Sequence, residues 1–143
     1  MIPVVITNYV LQKIRAEMNV PYEQIGLLIG ELTNGQLMIT EAISGTSSAT
    51  RSLSILSTEV LAEVADDIIN NRISGRIVGW YHSHPGHGLF LSQTDLDTHM
   101  QFYQFSPYAI SLVADPRSSE FGIWIYENGA GVVQLPANYI HII

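Results

Sequence analysis

The sequence has no cysteine in its 143 residues. That excludes a disulfide framework and every thiolate-bound metal site, including those of cysteine-dependent zinc deaminases. A bound metal would have to be held by histidine nitrogens and carboxylate oxygens. Positive charge is scarce too: six Lys and Arg against thirteen Asp and Glu give a net charge of −7. No two of the six basic residues adjoin, so the clustered cations that neutralise phosphates are missing. Nucleic acid is therefore not an expected partner. No apolar run approaches the about 18 residues of a membrane span, and the N-terminus carries no cationic leader pattern. A soluble, cytoplasmic protein with no membrane partner is the expectation.

What remains is rich in core-forming residues, with 47% hydrophobic and 13% charged. Such a composition belongs to globular rather than disordered chains. The length suits one domain over residues 1–143, able to bury roughly two thirds of its unfolded surface.

The periodicity predicts a helix over 8–19, capped by Asn8, with Val10, Leu11, Ile14 and Met18 on one face and Pro21 stopping it. Residues 24–32 form a nearly unbroken apolar run, as in a strand covered on both faces. Asn34-Gly35 then predicts a tight hairpin into a strand over 36–43. Residues 44–54 are rich in Ser, Thr and Gly and read as a surface loop. A second helix starts near Ser57 or Thr58, with Leu61, Val64, Ala65 and Ile68 at helical spacing, and ends by Asn70-Asn71 and Gly75. A strand over 76–84, a helix over 93–105 and strands near 108–114, 121–126 and 131–135 follow. This order predicts a single α/β (α+β) domain, a largely antiparallel curved sheet packed against helices.

The chemistry is concentrated in residues 82–95, HSHPGHGLFLSQTD. His82 and His84 sit two apart at a strand end, so period-two alternation puts both imidazoles on one face. Asp95 lies one turn into the next helix, where its carboxylate can supply a third ligand. Three protein ligands leave a fourth position for water, the mark of a catalytic rather than structural zinc site. Spacing alone is weak support, because H-x-H pairs arise by chance and Ser92-x-x-Asp95 is also a helix N-cap pattern. His87 in its Gly-flanked turn reads as exposed, His99 as a hydrogen-bonded helix histidine, and His141 carries no signal. For a general base, spacing leaves Glu23, Glu31, Glu41 and Asp97 equally open. Other H-x-H sites fit less well. Pro85-Gly86 stands where a metallo-β-lactamase-like site needs Asp-His, residues 85–91 lack the Glu of a cupin site, and amidohydrolase barrels need a longer chain.

One pattern fits without adjustment: H-x-H, seven residues, then S-x-x-D. It resembles the JAMM motif of the MPN+ metalloprotease family, isopeptidases that remove ubiquitin-like proteins. Glu23-Gln24-Ile25-Gly26-Leu27-Leu28-Ile29-Gly30 is similar to the family's upstream E-x-x-G-x-x-x-G element, and Asp115-Pro116 to its later D-P turn. The likeness covers about residues 1–135.

The resemblance implies one zinc ion per chain on His82, His84 and Asp95, with Glu23 as general base and Ser92 as hydrogen-bond donor to the oxyanion. It implies cleavage of the amide after the C-terminal Gly-Gly of ubiquitin or a ubiquitin-like modifier, bound as an added strand under the loop at 44–54. Proteasome association or a homo-oligomer would also suit the family. The short stretch from Pro116 to Phe121 and the end at residue 143 lead us to expect little linkage selectivity and no long C-terminal assembly helix. Two alternatives stay open: a metallopeptidase on sulfur-carrier proteins or small peptides, and a non-catalytic scaffold of the same fold.

Overall fold

Thr7 opens the first helix. Its backbone is extended, and its hydroxyl accepts the N–H of Val10 at 3.1 Å, so the N-cap is Thr7 rather than the expected Asn8. Helix α1 (Asn8–Glu17) closes at Met18, whose N–H reaches the Ile14 carbonyl before Pro21 is met. The anticipated stripe of Val10, Leu11, Ile14 and Met18 is fully buried. In this computed structural model, which describes residues 1–44, 58–104 and 106–143, that stripe covers one face of an eight-stranded mixed sheet.

Strands β2 (Ile25–Thr33) and β3 (Gln36–Ser44) form the predicted hairpin. Asn34 and Gly35 both take positive φ, +53° and +76°, the turn whose twist matches the flanking strands. Helix α2 (Thr58–Ile69), β4 (Arg76–Ser83), α3 (Gln93–Tyr103), β5 (Ile110–Asp115), β6 (Glu120–Glu127) and β7 (Gly131–Gln134) follow near their expected places. The loop expected at 44–54 falls, beyond Ser44, outside the described residues.

Two strands escaped the sequence reading: β1 (Val4–Ile6) and β8 (Ile140–Ile142), each three residues long. So short a segment carries no measurable period. Both are fixed by pairing, β1 running parallel to β3 on one side and to β8 on the other. The order is β7-β6-β5-β4-β2-β3-β1-β8. Four neighbouring pairs are antiparallel, while β1–β3, β1–β8 and β4–β5 are parallel.

The apolar run of β2 is explained by burial on both faces. Leu28 joins α1 in one core, while Ile25, Leu27 and Ile29 join Val64 of α2 and Phe102 of α3 in the other. Two glycines let the layers close. A Cβ on Gly26 would overlap the Tyr81 phenol, and one on Gly30 would overlap the Met38 carbonyl. Among the described residues, no helix is long and apolar enough to cross a membrane.

Candidate metal centre

Strand β4 ends at the centre of the sheet, between β2 and β5. The pairings Ile25↔His82 and His82↔Val113 fix its last residues from both sides. Ser83 is turned away from its neighbours by alternation. Its hydroxyl accepts the N–H of Gln24 at 2.9 Å, and its own N–H bonds the Gln24 carbonyl at 3.0 Å. His84 is held by its N–H on the Ala114 carbonyl at 2.9 Å. Two imidazoles thus leave a rigid strand end on the same side, the one facing α3.

Helix α3 supplies the third group through its own start signal. Ser92 is the N-cap: its hydroxyl accepts the N–H of Asp95 at 3.2 Å, and Asp95 Oδ2 accepts the N–H of Ser92 at 2.8 Å. This reciprocal capping box locks the carboxylate in the first helical turn. The Nε2 atoms of His82 and His84 lie 3.2 and 3.3 Å from Asp95 Oδ2 and 2.7 Å from each other. All three residues are buried. Burial alone would raise the Asp95 pKa, but the hydrogen bonds from His82 and His84 outweigh it and hold the carboxyl well below its ordinary range.

Among the described residues, His82, His84 and Asp95 form a group able to hold a metal ion. The fit can be tested on distance. Four ligands about 2.0–2.2 Å from a tetrahedral ion stand roughly 3.3 Å apart. The two nitrogen–oxygen separations match that value, and the two nitrogens would need to part by only about half an ångström. The Asp95 oxygen can serve the Ser92 N–H and a cation together, since it has two lone pairs. Two nitrogens and one carboxylate are a donor set suited to zinc.

The remaining expected residues fall around this triangle. Ser92 is half-buried beside it through the cap. Glu23 is exposed and directly precedes Gln24, the residue bonded to Ser83 between the two histidines. Its carboxylate is not part of the triangle. The other bases left open by spacing are engaged elsewhere. Glu41 pairs with Lys13 at 2.7 Å and with Tyr9, and Asp97 accepts from Gln93. Glu31 pairs with Met38 near the far end of β2, roughly 20 Å of extended chain from Ile25. His87 is exposed, as anticipated, and so is His141. His99 is buried and bonded through Nδ1 to Ser111 Oγ at 2.6 Å.

Three contributors had no role at the site assigned from the sequence. Trp80 stacks on His82, with centroids 4.6 Å apart and planes within 2°. Phe90 lies against His84 at 4.5 Å. Asp115 accepts backbone N–H groups from Gly86, Gly88 and Arg117 at 2.9–3.2 Å, pinning the loop that follows His84. Trp80 was findable, because it precedes His82 by two on the same strand face. Phe90 and Asp115 reach the site only through tertiary contacts.

Comparison with known proteins agrees with this geometry. Residues 2–108 match the family described as JAB1/Mov34/MPN/PAD-1 ubiquitin protease. The ubiquitin carboxyl-terminal hydrolase RPN11 of Saccharomyces cerevisiae is 33% identical over 113 residues, 72% of this chain and 34% of that protein. The 26S proteasome non-ATPase regulatory subunit 14 of Dictyostelium discoideum is 33% identical over 122 residues, 78% of this chain and 37% of that one. A protein named NAD(+) hydrolase TcpA, from a Theionarchaea archaeon, is 38% identical over 97 residues, 68% of this chain and 28% of its own. The chain therefore spans about a third of the length of these curated relatives. Since the matched span holds the β2 glycines, the histidine pair and the capped carboxylate, the chain belongs to the JAB1/Mov34/MPN/PAD-1 ubiquitin protease family.

Proposed function

We propose that this chain is a zinc-dependent isopeptidase that hydrolyses the amide after the C-terminal Gly-Gly of ubiquitin or a ubiquitin-like protein. The observation that carries the reading is the meeting of His82 Nε2, His84 Nε2 and Asp95 Oδ2 within hydrogen-bond range, buried at a strand end. Relatives named for ubiquitin hydrolysis and for the proteasome supply the substrate class.

His82, His84 and Asp95 would hold the ion. When bound, zinc supplies Lewis acidity to the scissile carbonyl and lowers the pKa of water to about 7. Glu23 takes the proton from the attacking water and later delivers it to the leaving amine. Ser92 donates its hydroxyl proton to the oxyanion. Because Ser92 Oγ already accepts the Asp95 N–H, its own proton is left for that bond. The Asp95 cap fixes the donor's position before substrate arrives.

The test pairs wild type with Glu23→Gln on a ubiquitin-like protein fused through its C-terminal Gly-Gly to a reporter. We expect cleavage at that junction by wild type, and turnover lowered about 100- to 10,000-fold in the variant, with fusion binding retained. A Glu23→Gln chain that cuts as fast as wild type removes the assigned base. Cleavage of short peptides but of no such fusion would favour a peptidase of the same chemistry.

A further inference from the structure

A polar chain runs through the core behind His82. Trp80 and His82 share a face of β4, and the indole lies flat against the imidazole. The indole is fully buried, and its N–H donates to Ser111 Oγ at 2.5 Å, across the register pair Trp80↔Ser111 of β4 and β5. Ser111 Oγ in turn lies 2.6 Å from Nδ1 of His99, one turn beyond Asp95 on α3. Ser111 and His99 are fully buried.

Donor counting fixes the first link of this chain: an indole N–H can only donate, so Ser111 accepts from Trp80. The second link joins Ser111 Oγ and His99 Nδ1, with donor and acceptor set by the His99 tautomer. Burial favours the neutral ring, pushing the His99 pKa down to about 4. A buried polar chain is costly unless each link is made, and apolar residues could fill this volume without that requirement. What the polar links add is orientation. A Trp bonded at Nε1 cannot turn about its side-chain torsions, and a ring stacked within 2° of it is held in the same plane.

We propose that Ser111 and His99 are positioning residues for the metal ligand His82. By locking the Trp80 indole they set the plane of the His82 ring, so that its Nε2 stays aimed at Asp95 Oδ2. The proposal rests on the reading of His82, His84 and Asp95 as metal ligands. Partners hydrogen-bonded directly to a ligand histidine typically change metal affinity about 10- to 100-fold when removed, and that range sets the scale for partners acting through a stacked ring.

The experiment measures zinc affinity by competition with a chromogenic chelator, and the visible spectrum of the cobalt-loaded protein. Wild type, Ser111→Ala, Ser111→Thr, Trp80→Phe and the Ser111→Ala/Trp80→Phe double variant are compared, each checked for native circular dichroism. Ser111→Ala should bind zinc about 10- to 100-fold more weakly and alter the cobalt spectrum, while Ser111→Thr, which keeps the hydroxyl, restores both. Because the two residues act as one chain, Ser111→Ala should add nothing in the Trp80→Phe background. Equal affinity in Ser111→Ala and wild type, or fully additive losses, overturns the positioning role while leaving the metal site standing. A wild-type chain that takes up no zinc overturns the metal reading itself, and this proposal with it.

Discussion

Ser92 carries two functions on one oxygen, and they can be separated. Its lone pair caps α3 and its proton is assigned to the oxyanion. Gly serves at an N-cap for only a few tenths of a kcal/mol less than Ser but has no side-chain donor. Ser92→Gly should therefore keep thermal stability near wild type while turnover falls about 100- to 1000-fold. Ser92→Ala should lose turnover similarly and also about 1 kcal/mol of stability. Denaturation curves beside initial rates distinguish the two variants. His99 makes a second prediction at this scale. Burial lowers its pKa from 6.5 to about 4, so between those values the unfolded chain binds a proton that the folded chain refuses. Stability is then fully present above pH 6.5 and falls as the pH drops through about 4. His99→Gln cannot titrate, and urea midpoints across that window should fall less steeply in it than in wild type.

At the scale of elements, the site depends on how closely β2, β4 and α3 approach. Gly26 faces the Tyr81 ring, whose hydroxyl donates to Glu17 Oε2 at 2.6 Å and so ties β4 to α1. A methyl at Gly26 would push the phenol out of this slot. Gly26→Ala should cost about 1–3 kcal/mol, as overpacking does. It should also weaken metal binding, because Tyr81 adjoins His82 on the strand. Thermal melts with and without zinc check both effects, and an unchanged melting temperature would show that the slot has slack.

For the molecule as a whole, a bound ion would join β4 to α3, two elements already joined by the second core. The metal should therefore add to stability without creating the fold. Zinc at a hundredfold over its dissociation constant should contribute about 2.7 kcal/mol, and excess chelator should reverse this. Far-ultraviolet circular dichroism should stay the same throughout. Asp95→Asn should abolish the zinc-dependent rise in melting temperature. Loss of secondary structure on chelation would instead mean that the ion is structural.

Much of this organisation was legible in the order of residues. The apolar run of β2, the Asn34-Gly35 turn and the stripe of α1 are local patterns, governed by period and backbone preference, and they formed where those patterns pointed. The spacing of His82, His84 and Asp95 pointed to three side chains that do meet, and that of Ser92 and Asp95 to a helix cap that does form, because alternation and helix capping act within a few residues. Other features were decided in three dimensions. Strands β1 and β8 exist only through their parallel partners. The N-cap passed to Thr7 because the chain leaves β1 extended at that residue. The links among Trp80, Ser111 and His99 cross three elements, and no local period records a contact made between them. Sequence sets what each segment can offer by itself; packing decides which offers meet, because only the assembled core brings distant donors and acceptors within bonding distance.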